Sequence, residues 1–168
     1  MSKGELKKYK KAMEEPDRDK RDTKIRKIKI SDISTNKMNE YMIKVWNKYI
    51  KPEDVVLHLG DFYLGSKEKR KGIRDRLNGT IILIHGSHDG SKWRIAKDGF
   101  IVSPKELIIE DMIFTHKPID IVPDGKWNVH GHIHNHKTEG RRINVSVEQT
   151  DYKPININEL RELINWVR

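Results

Sequence analysis

Val55-Val56-Leu57-His58-Leu59-Gly60-Asp61 is an apolar run that ends by releasing a carboxylate, and Ile81-Ile82-Leu83-Ile84-His85-Gly86-Ser87-His88-Asp89 repeats the device with an imidazole. Continuous apolar runs of this length suit strands covered on both faces. Between them, Ser66 is placed to cap a basic helix running to about Leu77, with Asn78-Gly79 closing it. Strand, helix, strand is the unit of a parallel sheet, so the stretch sets an α/β fold.

Working outward, Met38, Met42, Val45, Trp46 and Tyr49 share one helical face from Asn36 onward, and Lys51-Pro52 ends that helix. Core packing accounts for these side chains. Beyond Trp93 the pattern predicts strands at 100–102, 107–110, 112–116, 127–130 and 143–147. A final amphipathic helix begins at Asn158, with Leu160, Leu163, Ile164 and Val167 inward. Upstream, Lys3–Met13 reads as a charged helix, and Ile28 and Ile30 as a brief strand ending at Ser31-Asp32. The whole reads as a sandwich of two mixed β-sheets flanked by helices.

The chain has 168 residues, no cysteine, and equal 35% shares of hydrophobic and charged residues. The length suffices for one domain with an extension, and the cysteine count excludes disulfides and thiolate–zinc sites. No apolar run approaches the roughly 18 residues needed to cross a bilayer, so the expectation is a cytoplasmic protein with no membrane partner. Of the net charge of +9, the first 29 residues supply +6, from twelve Lys and Arg against six Asp and Glu. Residues 1–24 form a basic extension to a domain over 25–168. Such an arm suits an acidic protein, nucleic acid or an anionic surface, or is simply a solvated tail. Only Tyr9 accompanies the arm's basic residues, so single-strand stacking is not indicated.

The chemistry sits at strand ends. Asp61, His88, His116, His132 and His134 leave neighbouring strands and are expected to share one pocket. An extended Gly131-His132-Ile133-His134 puts both imidazoles on one side, with Gly131 allowing close approach to a metal. A carboxylate can bridge two cations, imidazoles suit Zn, Mn and Fe, and hydroxide between two ions is a nucleophile at neutral pH. His130 and His136 read as structural or exposed. Taken singly, Gly60-Asp61 is a common turn and His116 an ordinary strand end.

In order, Gly-Asp, Gly-x-His-Asp, a strand-terminal His and Gly-His-x-His resemble the calcineurin-like metallophosphoesterases, particularly small phage and bacterial members. The resemblance runs from about Met38 to the C-terminus and includes the stretches 55–62 and 142–148. It implies two packed sheets flanked by helices. By it Asp61 is the bridging carboxylate, His134 a ligand of the first metal, and His116 and His132 ligands of the second. His88, beside Asp89, would assist the leaving group or the transition-state charge.

The departures are as informative. The family opens with Asp-x-His, where this chain has Asp32-Ile33-Ser34, and its Gly-Asn-His-Asp is here Gly86-Ser87-His88-Asp89. Asp32 is the nearest match for the first-metal carboxylate, and Ser34 stands where the family has the imidazole. Each metal thus loses a ligand, which implies no metal or a weakly bound Mn, Zn, Ni or Fe. Three functions follow as alternatives: a pseudoenzyme that binds a macromolecule, a surviving metal-dependent phosphodiesterase or nuclease, and a nucleic-acid binder using the old phosphate pocket. Overall resemblance to phage members points the first toward an acidic host replication protein, the DNA sliding clamp, inhibited during host takeover. Self-association is also compatible with the sequence.

Overall fold

The strands expected from Val55 onward are present in the computed structural model, which describes residues 3–17, 20, 23–24 and 32–167, although the last covers Arg142–Asn144 and not 143–147. The strand expected at Ile28–Ile30 lies outside those residues. Two compact units form, Met1–Met42 and Ile43–Arg168. In the first, helix α1 (Lys3–Met13) matches its expected span. There Ser34 donates its hydroxyl hydrogen to Glu5 at 2.7 Å. Helix α2 (Asp32–Tyr49) starts four residues before the expected Asn36. Its buried side chain in the second unit is Ile43, whereas Met38 and Tyr49, expected inside, are exposed.

The second unit holds two sheets. Strands β1 (Val55–His58), β2 (Thr80–Ile84) and β3 (Ile101–Ser103) form a parallel sheet in that order. Strands β4 (Glu106–Ile109), β5 (Met112–Thr115), β6 (Trp127–His130) and β7 (Arg142–Asn144) form a mixed one, antiparallel only between β4 and β5. The expected sandwich is therefore present, with one sheet wholly parallel among the described residues. Helix α3 (Lys67–Arg74) joins β1 to β2, and Ser66 Oγ accepts the Lys69 amide at 3.4 Å as its cap. Helix α4 (Lys92–Lys97) joins β2 to β3, and α5 (Ile157–Val167) ends the fold.

Residues of β2 feed two cores. Ile81 and Leu83 pack with Ile43, Ile95 and Phe100. Ile84 packs with Leu57, Met112, Phe114, Val129, Leu160 and Ile164 between the sheets and α5. Each fully buried aliphatic contributes about 1.5–3 kcal/mol. Two expectations need correction. At β1 Val55 is exposed and Val56, Leu57 and His58 are half-buried, so the strand is not covered along its whole length. On α5 only Leu160 and Ile164 are buried, while Leu163 and Val167 are exposed, because one stripe of this short helix meets the sheet. Among the described residues, no helix is long and apolar enough to cross a membrane.

Candidate metal centre

Parallel pairing sends the chain out of β1 and β2 at the same sheet edge, and likewise out of β5 and β6. Such ends are where open α/β sheets gather their functional loops. Asp61 follows β1, residues 85–89 follow β2, His116 follows β5 and His132 follows β6.

The first two loops are locked together by Asp89, which is fully buried. Its Oδ2 accepts the amides of Asp61 and Gly86, and its Oδ1 that of Phe62, each at 2.8 Å. The His88 amide donates to Asp61 Oδ1 at 2.7 Å. With Oδ1 so held, Asp61 Oδ2 lies 3.3 Å from His116 Nε2 and 4.0 Å from His132 Nδ1. The interlock needs two glycines. A Cβ on Gly86 would lie 2.3 Å from the Asp61 nitrogen, and one on Gly60, at φ +94°, 2.7 Å from Gly86 and from His116 Nδ1.

His116 is buried, and its Nδ1–H donates to the Leu59 carbonyl at 2.7 Å. That bond fixes the tautomer and leaves Nε2 as a lone pair, which the Ser87 amide approaches at 3.4 Å. The His132 ring stands edge-on to His116, with centroids 4.8 Å apart. Burial, then the neighbouring His116 and Lys117, lower the pKa of His132, which favours the neutral imidazole that can ligate. Asp61, His116 and His132 thus bring one ligand atom each to within 4.8 Å of one another. Two imidazoles and a carboxylate with a fixed tautomer fit one divalent transition-metal ion.

His134 is not in this group. Both His132 (φ 68°) and His134 (φ 50°) are left-handed rather than extended, so the alternation that would align their rings is broken. His134 is exposed, with Nδ1 2.8 Å from Glu148 Oε1. Its carbonyl accepts from Asn144 Nδ2 at 2.7 Å and Gln149 Nε2 at 3.0 Å. A Cβ on Gly131 would meet only ordinary van der Waals neighbours in the chain, the nearest Leu59 Cβ at 3.8 Å. Asp32 opens helix α2, and the strand expected to lead into it lies outside the described residues. Ser87 and His88 are exposed, the latter serving Asp61 through its amide. Asp89, expected beside the chemistry, works from the interior as the tie between loops. His130 is buried and His136 exposed, as expected.

Sequence reasoning missed His58, whose Nδ1 accepts the Gly60 amide at 3.2 Å. Burial outweighs the pull of Asp89 and lowers its pKa from 6.5 to about 4. The unfolded chain takes up this proton near pH 6.5, the folded chain only near 4. Stability is therefore full above that window and declines as pH falls through it, by at most about 3 kcal/mol. Urea unfolding of the metal-free protein and of His58→Gln should differ in pH slope between 6.5 and 4; identical slopes would refute this.

A family profile for calcineurin-like phosphoesterase matches residues 29–165. The chain is 36% identical over 148 residues to the uncharacterized protein MJ1445 of Methanocaldococcus jannaschii, covering 78% of this chain and 77% of that one. Among solved structures it resembles a protein of unknown function, AQ665 from Aquifex aeolicus, with TM-score 0.58, 26% identity, and coverage of 82% of this chain and 88% of that one. A Pseudomonas putida nuclease, MPE, aligns with TM-score 0.47 and 21% identity over 62% of this chain and 55% of its own.

Proposed function

The chain belongs to the calcineurin-like phosphoesterase family, and on that premise we propose that it is a catalytically impaired member that works by binding an acidic macromolecule. The observation that carries the reading is the ligand set. Asp61, His116 and His132 stand together, whereas His134 is engaged by Glu148 and serine occupies position 87. Asp61 and the two imidazoles would hold a single Mn, Zn, Ni or Fe ion. Such an ion supplies Lewis acidity toward a phosphoryl oxygen and lowers the pKa of bound water. The chain's own residues fix the carboxylate and the His116 tautomer. Among the described residues, nothing else gathers three such ligands.

Expected turnover of bis-p-nitrophenyl phosphate with each of these ions is far below the roughly 1–10³ s⁻¹ of ordinary enzymes. Turnover within that range, abolished by Asp61→Asn, would return the function to the surviving phosphodiesterase. That second reading is favoured by the bond from His116 to Leu59, which keeps one ligand ready for metal.

The binding role rests on charge. Lys7, Lys8, Lys10 and Lys11 are all exposed on α1. Association with an acidic partner should slow as salt rises, and neutralising these four lysines should reduce the association rate more than it raises dissociation. A purified bacterial sliding clamp is the first partner to try, with duplex DNA alongside. A rate and salt dependence unchanged without residues 1–24 would reduce the arm to a solvated tail.

A further inference from the structure

Arg70 is a buried cation 28 residues from its buried partner, Asp98. Its Nε donates to Asp98 Oδ2 at 2.8 Å, and Nη2 donates to the same oxygen. The third donor, Nη1, reaches the Asp89 carbonyl at 3.2 Å. A buried ion pair brings little stability over an apolar pair of the same volume, because both charges lose their water. Stability alone therefore does not account for a buried arginine on helix α3, where Ile73 already supplies the contact with the core. The third bond does. Asp89 is the residue whose carboxylate ties the Asp61 and Gly86 loops, and Arg70 holds the backbone carbonyl of that same residue. Asp98 in turn fixes the guanidinium, leaving one edge of the fork for the carbonyl.

We infer that Arg70, set by Asp98, is a positioning residue for the metal centre, acting on Asp61 through Asp89. The inference rests on the metal reading of Asp61, His116 and His132. Lysine cannot replace it, because a single ammonium lacks the planar fork that serves a carboxylate and a carbonyl together. Residues supporting metal ligands from outside typically change affinity by about 10- to 100-fold.

Full-length wild type, Arg70→Lys and the double variant Arg70→Met/Asp98→Leu are compared. The double variant removes both buried charges, so it guards against a single change that merely unfolds the chain. Circular dichroism establishes folding. Co²⁺ titration gives affinity and the visible absorption of the bound ion, and hydrogen exchange gives protection of the Asp61, Phe62 and Gly86 amides. The expected result is Co²⁺ binding at least about tenfold weaker in both folded variants, with altered band intensity. Those three amides should exchange at least about tenfold faster while amides of β6 keep their protection. Wild-type Co²⁺ affinity, or wild-type exchange at the three amides, in a folded variant overturns the inference. Failure of the wild-type chain to bind Co²⁺ defeats the metal reading instead, and amide exchange alone then decides whether Arg70 positions the loop.

Discussion

Gly86→Ala is expected to cost about 3 kcal/mol of stability and to abolish divalent-metal binding. The added Cβ would sit 2.3 Å from the Asp61 nitrogen and 2.4 Å from its Oδ1, against backbone and a held carboxylate that cannot rotate away. Relief requires the two loops to part, which breaks the amide bonds to Asp89 and moves Asp61 from His116. Gly131→Ala is the control. Its Cβ meets only ordinary van der Waals neighbours, the nearest at 3.8 Å, so its effect should lie within about 0.5 kcal/mol. Urea midpoints for both variants, with Co²⁺ titration, test the contrast. Equal behaviour would mean that the interlock of the 60–61 and 86–89 loops does not determine the site.

His132→Ala and His134→Ala should separate even more sharply. Losing His132 removes one of three clustered ligands, and metal affinity should fall by more than the roughly hundredfold ceiling seen for supporting residues. His134 is exposed and paired with Glu148 on the surface, an arrangement worth about 0–1 kcal/mol. Its loss should leave both fold and affinity near wild type. Isothermal titration with Mn²⁺ or Zn²⁺ should show one ion per chain in wild type and in His134→Ala. Two ions, or an equal loss in the two variants, would mean that His134 joins a second metal position and would restore the two-metal enzyme.

A gain-of-ligand change tests the same account from the other side. Ser87→Asn supplies an amide oxygen next to His116, whose Nε2 already meets the backbone at this position. Tighter metal binding is expected. Phosphodiesterase activity approaching 1 s⁻¹ in this variant would show that one lost ligand was the main impairment.

Apolar runs bounded by Gly, Asn and Pro placed β2, β5 and β6 correctly, since their side chains are buried whichever neighbours cover them. Ser66 as a cap and Lys3–Met13 as a helix were equally legible, because capping and helix propensity are local. Partners were not. The exposed Val55 and the outward Leu163 depend on which elements pack beside them, which no window of sequence contains.

Within the site, residue types and order offered Asp61, His88, His116, His132 and His134 as one pocket, because strand ends of a parallel sheet converge. Three of these, Asp61, His116 and His132, come together. Tertiary structure decided the rest. Left-handed φ at His132 and His134 breaks the two-residue alternation that would have aligned their rings, and Glu148, fourteen residues on, holds His134 instead. Asp89 changed from a neighbour of the chemistry to a buried tie because three amides from two loops point at it. Arg70 carries no motif, and its role exists only where α3 brings it to Asp98 and to the Asp89 carbonyl. A linear sequence records which donors and acceptors a chain carries; which of them meet is fixed by packing between residues far apart along it.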